Sequence, residues 1–108
     1  MTVIATDEIP EKEIVPGYWA RFIHSEHMTL AFWRVEAGAA LPDHSHPHEQ
    51  VTTLLEGEFE ITIAGEPFNL KPGMAAIIPG NEKHRGKALT ACRLMDAFYP
   101  IREDYRGK

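Results

Sequence analysis

Cysteine is nearly absent. The 108 residues hold one, Cys92, so no intrachain disulfide can form. Between Ala91 and Arg93 in an apolar stretch, it reads as a small buried hydrophobe. Basic charge is also scarce, with 11 Lys and Arg against 16 Asp and Glu for a formal net charge of -5. That balance argues against nucleic acid or an anionic membrane as partner, since both reward a basic surface. No hydrophobic run approaches the roughly 20 residues that a bilayer requires; Leu30-Ala31-Phe32-Trp33 is typical. The N-terminal stretch, with Asp7, Glu8, Glu11 and Glu13, lacks the basic start and apolar core of a signal peptide. A cytoplasmic location is therefore expected. Sustained helical periodicity is missing from every window, as are internal repeats, low-complexity segments and linkers. A chain of this length makes one domain with a limited core, and a homodimer is expected to bury what one barrel cannot.

What is present is strand. Glu58-Phe59-Glu60-Ile61-Thr62-Ile63 alternates polar and apolar for three periods, which predicts a strand with one wet face. Tyr18 to His24 and Met28 to Glu36 are aromatic and β-branched around Ser25-Glu26-His27, a hairpin pattern. Gly38 to Pro42 reads as a turn. Ala64-Gly65-Glu66 turns the chain into a short return strand holding Phe68 and Leu70, and Lys71-Pro72-Gly73 turns it again. Met74 to Ile78, apolar on both faces, is expected to be buried. After Pro79-Gly80-Asn81, Ala88 to Phe98 is expected to form the last long strand. Turn signals every eight to twelve residues predict an all-β sandwich or barrel. Trp19 and Trp33 are expected in the core or at a dimer interface, and His24 and His27 in solvent.

The chemistry concentrates in His44-Ser45-His46-Pro47-His48-Glu49-Gln50. His44 and His46 share a face of an extended chain, and Gln50 has the same parity, so a bend at Pro47 can bring its carbonyl oxygen to an ion held by the two imidazoles. His84 is the candidate fourth ligand. His48 is expected to be a solvated loop residue, and the parity of Glu49 points it away. In the last strand, Cys92, Leu94, Asp96 and Phe98 share an otherwise apolar face. A carboxylate there is either fully hydrogen-bonded for structure or poised for proton transfer. Arg102, by residue type alone, is an exposed tail residue. Arg85, next to His84, faces the opposite way and is left outside the site.

Two spaced frames run through this region. The first is Gly38, five residues, His44-x-His46, three residues, Gln50, six residues, Gly57; the second is Gly73, five residues, Pro79-x-Asn81, two residues, His84. Together they resemble the paired motifs of the cupin superfamily, with glutamine for the usual glutamate and asparagine for the usual glycine. The resemblance implies the cupin double-stranded β-helix, a jelly-roll barrel over residues 1–108. Its expected parts are N-terminal strands over 1–36, a metal-site core over 37–99 and a C-terminal tail over 100–108. One divalent transition metal ion per chain (nickel, zinc, manganese, iron or cobalt) is implied, on His44, His46, Gln50 and His84. Neutral Gln50 in place of a carboxylate disfavours dioxygen chemistry and favours Lewis-acid catalysis.

The closing segment Asp96-Ala97-Phe98-Tyr99-Pro100-Ile101-Arg102-Glu103-Asp104-Tyr105, taken with the histidine stretch, resembles the small cupins of the KdgF type, the pectin-degradation proteins. The resemblance implies a metal-dependent enzyme that opens 4,5-unsaturated monouronates, from pectin or alginate, to the open-chain ketouronate. In it Asp96 is the general acid or base, Phe98 a flat wall against a small anionic sugar, and Arg102 the partner of its carboxylate. A metal-dependent oxygenase or isomerase on another small molecule, and a binding cupin without catalysis, are the competing expectations.

Overall fold

The computed structural model describes residues 2–107. Ten strands run β1 (Lys12–Val15), β2 (Tyr18–His24), β3 (Thr29–Val35), β4 (Ala40–His44), β5 (Glu49–Glu56), β6 (Phe59–Ile63), β7 (Glu66–Leu70), β8 (Ala75–Ile78), β9 (His84–Ala88) and β10 (Cys92–Tyr99). Short 3-10 turns cover Thr6–Glu8 and Glu103–Tyr105. The strands form two antiparallel sheets, one ordered β1-β2-β3-β10-β5-β8 and the other β4-β9-β6-β7. From β3 onward the chain changes sheet at every connection except β6 to β7, as in a jelly roll. This is the all-β barrel that the alternating pattern and the turn spacing predicted.

The expected hairpins form. Tyr18 to His24 pairs residue for residue with Val35 to Thr29. Ile63 pairs with Glu66 across Ala64-Gly65, both at positive φ, which matches the two-residue turn that suits the twist of paired strands. The core gathers the inward parities of both sheets, including Val35, Leu54, Phe59, Ile61, Leu94 and buried Cys92.

Three expectations need correction. Met74 to Ile78 is not a buried strand. β8 is the edge of the six-stranded sheet, so Ala76 and Ile78 face the barrel while Ile77 is 70% exposed. Ala88 to Phe98 is not one strand either: His84 to Ala88 makes β9, and the chain turns through Leu89-Thr90-Ala91 before β10. β9 lacks a hydrophobic signature because its inward Gly86 lies under the Phe59 ring, where a Cβ would come within 2.4 Å of Cζ. The turn placed at Gly38 to Pro42 ends earlier, and Leu41 and Pro42 already belong to β4. Pro42 is tolerated because β4 is an edge strand and its register shifts between Leu41 and His44.

Candidate metal centre

The two motif loops are pinned to each other. Asn81 N–H donates to the carbonyl of His46 at 2.7 Å, and a Cβ on Gly80 would fall 2.5 Å from the carbonyl of Pro47. Asn81 stands at φ +67°, a left-handed conformation that asparagine tolerates better than most residues. This is why asparagine can occupy a place usually held by glycine. The same clamp sets His46 beside the ends of β4 and β9, where His44 pairs directly with His84.

The ligand atoms of His44, His46 and His84 all lie within 4.8 Å of one another. Each ring has its Nδ1 tied to a nearby main-chain carbonyl: His44 to Pro42 at 2.9 Å, His46 to His48 at 3.1 Å and His84 to Glu82 at 2.9 Å. A neutral imidazole that donates from Nδ1 presents a lone pair at Nε2. Gln50, buried at the start of β5, has its Oε1 3.0 Å from His46 Nε2. These are two acceptors face to face, and such a pair requires a proton or a cation between them. Burial first, then the Arg102 charge and the neighbouring His84, pull the His46 pKa down to about 4, so the shared proton is disfavoured near neutrality. Among the described residues His84 Nε2 is buried with no hydrogen-bond partner, and burial lowers its basicity too. Three convergent imidazole lone pairs, one of them on the orphaned buried nitrogen of His84, and one amide oxygen are the donor set of a divalent transition metal. His44, His46, Gln50 and His84 are the residues that fit it.

Beyond this cluster the barrel interior opens into a cavity whose walls include His44, His84, Gln50, Asp96, Phe98 and Arg102. Register explains the arrangement: Gln50 sits opposite Phe98 and Thr52 opposite Asp96 on the inward face of β5 and β10. Asp96 is buried, accepting from Trp33 Nε1 at 2.9 Å on Oδ2 and from Thr52 Oγ1 at 2.5 Å on Oδ1. Burial pushes its pKa up, and the bonds from Thr52, Gln50 and Trp33 oppose that rise. This carboxylate is thus fully hydrogen-bonded and also part of the cavity wall.

Arg102 is not an exposed tail residue. Its guanidinium carbon lies 4.7 Å from the Phe98 ring centroid and 4.0 Å from that of Tyr105, and its backbone N–H donates to Thr29 Oγ1 at 2.9 Å. Asp104 takes one edge of the fork, accepting from Nε at 2.9 Å and Nη2 at 2.7 Å. Among the described residues no second carboxylate takes the end edge, Nη1 with the second Nη2 hydrogen.

Other residues depart from the sequence reading. Arg85 contributes to the cavity wall while its Nη1 lies 3.5 Å from Asp43. His48, expected in solvent, is half-buried, with a shielded Nδ1 lacking a partner and a ring 5.4 Å from that of His46. Glu49 is exposed beside Tyr99. Trp33 is a core residue that also touches Asp96. Thr52, Trp33, Asp104 and Tyr105 were missed as site residues. Thr52 alone carried a signal, its shared parity with Gln50.

The chain matches the Cupin_2 family model, described as a cupin domain, over residues 31–98. It is 32% identical over 102 residues to the pectin degradation protein KdgF of Dickeya dadantii, covering 92% of this chain and 93% of that one. It is also 32% identical over 113 residues to L-ectoine synthase of Nocardia farcinica, covering 93% of this chain and 83% of that one. Among solved structures it superposes on KdgF from Halomonas sp. with a TM-score of 0.91, 26% identity and coverage of 96% and 97% of the two chains. With the paired histidine motifs meeting at one point inside a jelly-roll barrel, the chain belongs to the cupin family.

Proposed function

We propose that the protein is a metal-dependent cupin enzyme that opens the ring of 4,5-unsaturated monouronates to the open-chain ketouronate. One observation carries this reading: buried Asp96 and the stacked, positively charged Arg102 line the same cavity as the histidine cluster. The KdgF relative, a pectin degradation protein by name, supports the substrate class. Arg102 binds the sugar carboxylate with the free edge of its guanidinium, which lets an acidic protein hold an anion. Phe98 packs against the ring. Asp96 takes the proton of the anomeric hydroxyl as the C1 carbonyl forms and the bond from C1 to the ring oxygen breaks; that oxygen departs as an enolate, and Asp96 returns the proton to C4 as the ketone forms. His44, His46, Gln50 and His84 would hold a divalent ion, which would supply Lewis acidity for the developing oxyanion. No oxidant is consumed.

The test is to incubate the metal-loaded protein with unsaturated monouronates and follow the ultraviolet absorbance of their conjugated double bond, with dioxygen monitored in parallel. Decay of absorbance without dioxygen uptake is expected. An unchanged spectrum for every such uronate rejects the reading, and dioxygen uptake redirects it to the oxygenase class. The L-ectoine synthase relative, at equal identity, raises a second reading, and assaying L-ectoine formation separates the two. Arg102→Lys keeps the charge but loses the planar fork and its stacking. It is expected to raise KM about ten- to a hundredfold, as for loss of a charge-assisted bond worth roughly 1.5 to 3 kcal/mol, with a smaller effect on kcat. A drop in kcat at unchanged KM contradicts the binding role.

We further propose that the working form is a homodimer joined through the outer face of the six-stranded sheet. Register aligns Ile23, Leu30, Ala97, Val51 and Ile77 in one apolar row across β2, β3, β10, β5 and β8. Phe32 and Met95 extend it in the next row. Five strands at about 4.8 Å spacing and roughly 24 Å of strand length give a projected face of roughly 600 Å², close to the about 800 Å² per partner of a standard interface. A twofold pairing matches such a row with itself. The double variant Ile77→Lys, Leu55→Lys changes two positions that are 70% and 48% exposed, so the fold survives. Sedimentation is expected to give a dimer for the wild type and a monomer for the variant at micromolar concentration; a monomeric wild type refutes the proposal.

A further inference from the structure

An amide side chain has two ends of nearly the same shape, and only its oxygen can bind a metal ion. Packing alone does not choose between them. The choice at Gln50 is made by proton counting along a buried chain. Trp33 Nε1–H can only donate, and it donates to Asp96 Oδ2. The other carboxylate oxygen accepts the one proton that Thr52 has to give, at 2.5 Å. With its proton spent, the Thr52 hydroxyl can only accept from the other side, and it accepts from Gln50 Nε2 at 2.9 Å. The amide nitrogen is thereby held away from the histidines, and Oε1 is the end that faces His46 Nε2 at 3.0 Å. Thr52 is 3% exposed and Gln50 7%, so solvent does not compete for either group.

We infer that Thr52 is a positioning residue whose hydroxyl orients the Gln50 amide so that oxygen, not nitrogen, meets the ion. This rests on the reading of His44, His46, Gln50 and His84 as ligands and adds the group that makes Gln50 one. With the amide reversed, two N–H groups would point at a cation and the fourth ligand would be lost. The β-ladder supplies the geometry: Gln50 and Thr52 are two residues apart on the inward face of β5, and Asp96 sits directly across from Thr52 on β10.

The test measures Ni²⁺ and Zn²⁺ affinity of the metal-stripped protein by competition with a chromogenic chelator, so it needs no substrate. Thr52→Val keeps the shape and removes the hydroxyl. It is expected to weaken metal binding about ten- to a hundredfold, the usual effect of losing a group that orients a ligand. Thr52→Ser is expected to restore affinity to within about threefold of the wild type. Thr52→Ala serves the same purpose should the valine variant fail to fold. In a Gln50→Ala background there is no amide left to orient, so adding Thr52→Val is expected to change affinity by less than about threefold. An unchanged affinity in Thr52→Val, or an equal loss in both backgrounds, overturns the proposal. A wild-type protein that binds neither ion overturns the ligand assignment itself and this inference with it, an outcome distinct from tight binding that ignores Thr52.

Discussion

Replacing His84 by alanine is expected to abolish stoichiometric metal binding, the largest single effect in this protein. His84 is the deepest of the three histidines, sits on β9 directly across from His44, and has its Nε2 buried without a partner. Its other nitrogen is already committed to the Glu82 carbonyl, so the ring is aimed and in one tautomer before any ion arrives. Removing it takes one of three imidazoles from a cluster whose ligand atoms span 4.8 Å. The loss is expected to exceed the about ten- to hundredfold of an orienting group. Elemental analysis of the wild type after supplementation is expected to give about one divalent ion per chain, and far less for His84→Ala. Metal at a hundred times its Kd is also expected to raise wild-type stability by about 2.7 kcal/mol, a gain the variant does not share. Equal metal content in both proteins would rule out the site.

Asp96→Asn is expected to lower turnover on unsaturated uronates about a hundred- to ten-thousandfold at saturating metal, the range for loss of a general acid or base. The surroundings of Asp96 add a second expectation. Trp33 Nε1–H requires an acceptor, so the new amide offers its oxygen to Trp33 and its nitrogen to Thr52. The Thr52 proton, no longer taken by a carboxylate, turns toward Gln50. Metal affinity is therefore expected to fall in this variant, less than in His84→Ala, and kcat has to be read with the metal in excess. Titrating metal against both activity and chelator separates the two effects. Normal turnover at saturating metal is incompatible with the proton-transfer role.

Much of the fold was legible because strand sequences advertise which face they bury. The alternation of Phe59 to Ile63 is local and appears where expected, and the turn expected over Ala64-Gly65-Glu66 closes within Ala64-Gly65, with Glu66 already in β7. β9 was invisible because its inward residues are His84, Gly86 and Ala88, small or polar groups dictated by the Phe59 ring and the ligand cluster. β8 was misjudged because an apolar run does not say whether its second face meets a core, solvent or another copy of the chain.

At the site, the types and spacing of His44, His46, Gln50 and His84 were legible from the residues alone, as was the parity that puts Asp96 and Phe98 on one face. Those properties are local, set by residue identity and by the two-residue period of a strand. The pairing of His44 with His84 was not legible in the sequence, nor was the meeting of Asp96 with Thr52 and Trp33, which lie 44 and 63 residues from it along the chain. The tertiary structure also stacks Arg102 on Phe98 and Tyr105 with Asp104 on one edge of its fork. Contacts between distant segments depend on sheet order and register, and those follow from how the whole barrel closes around its core.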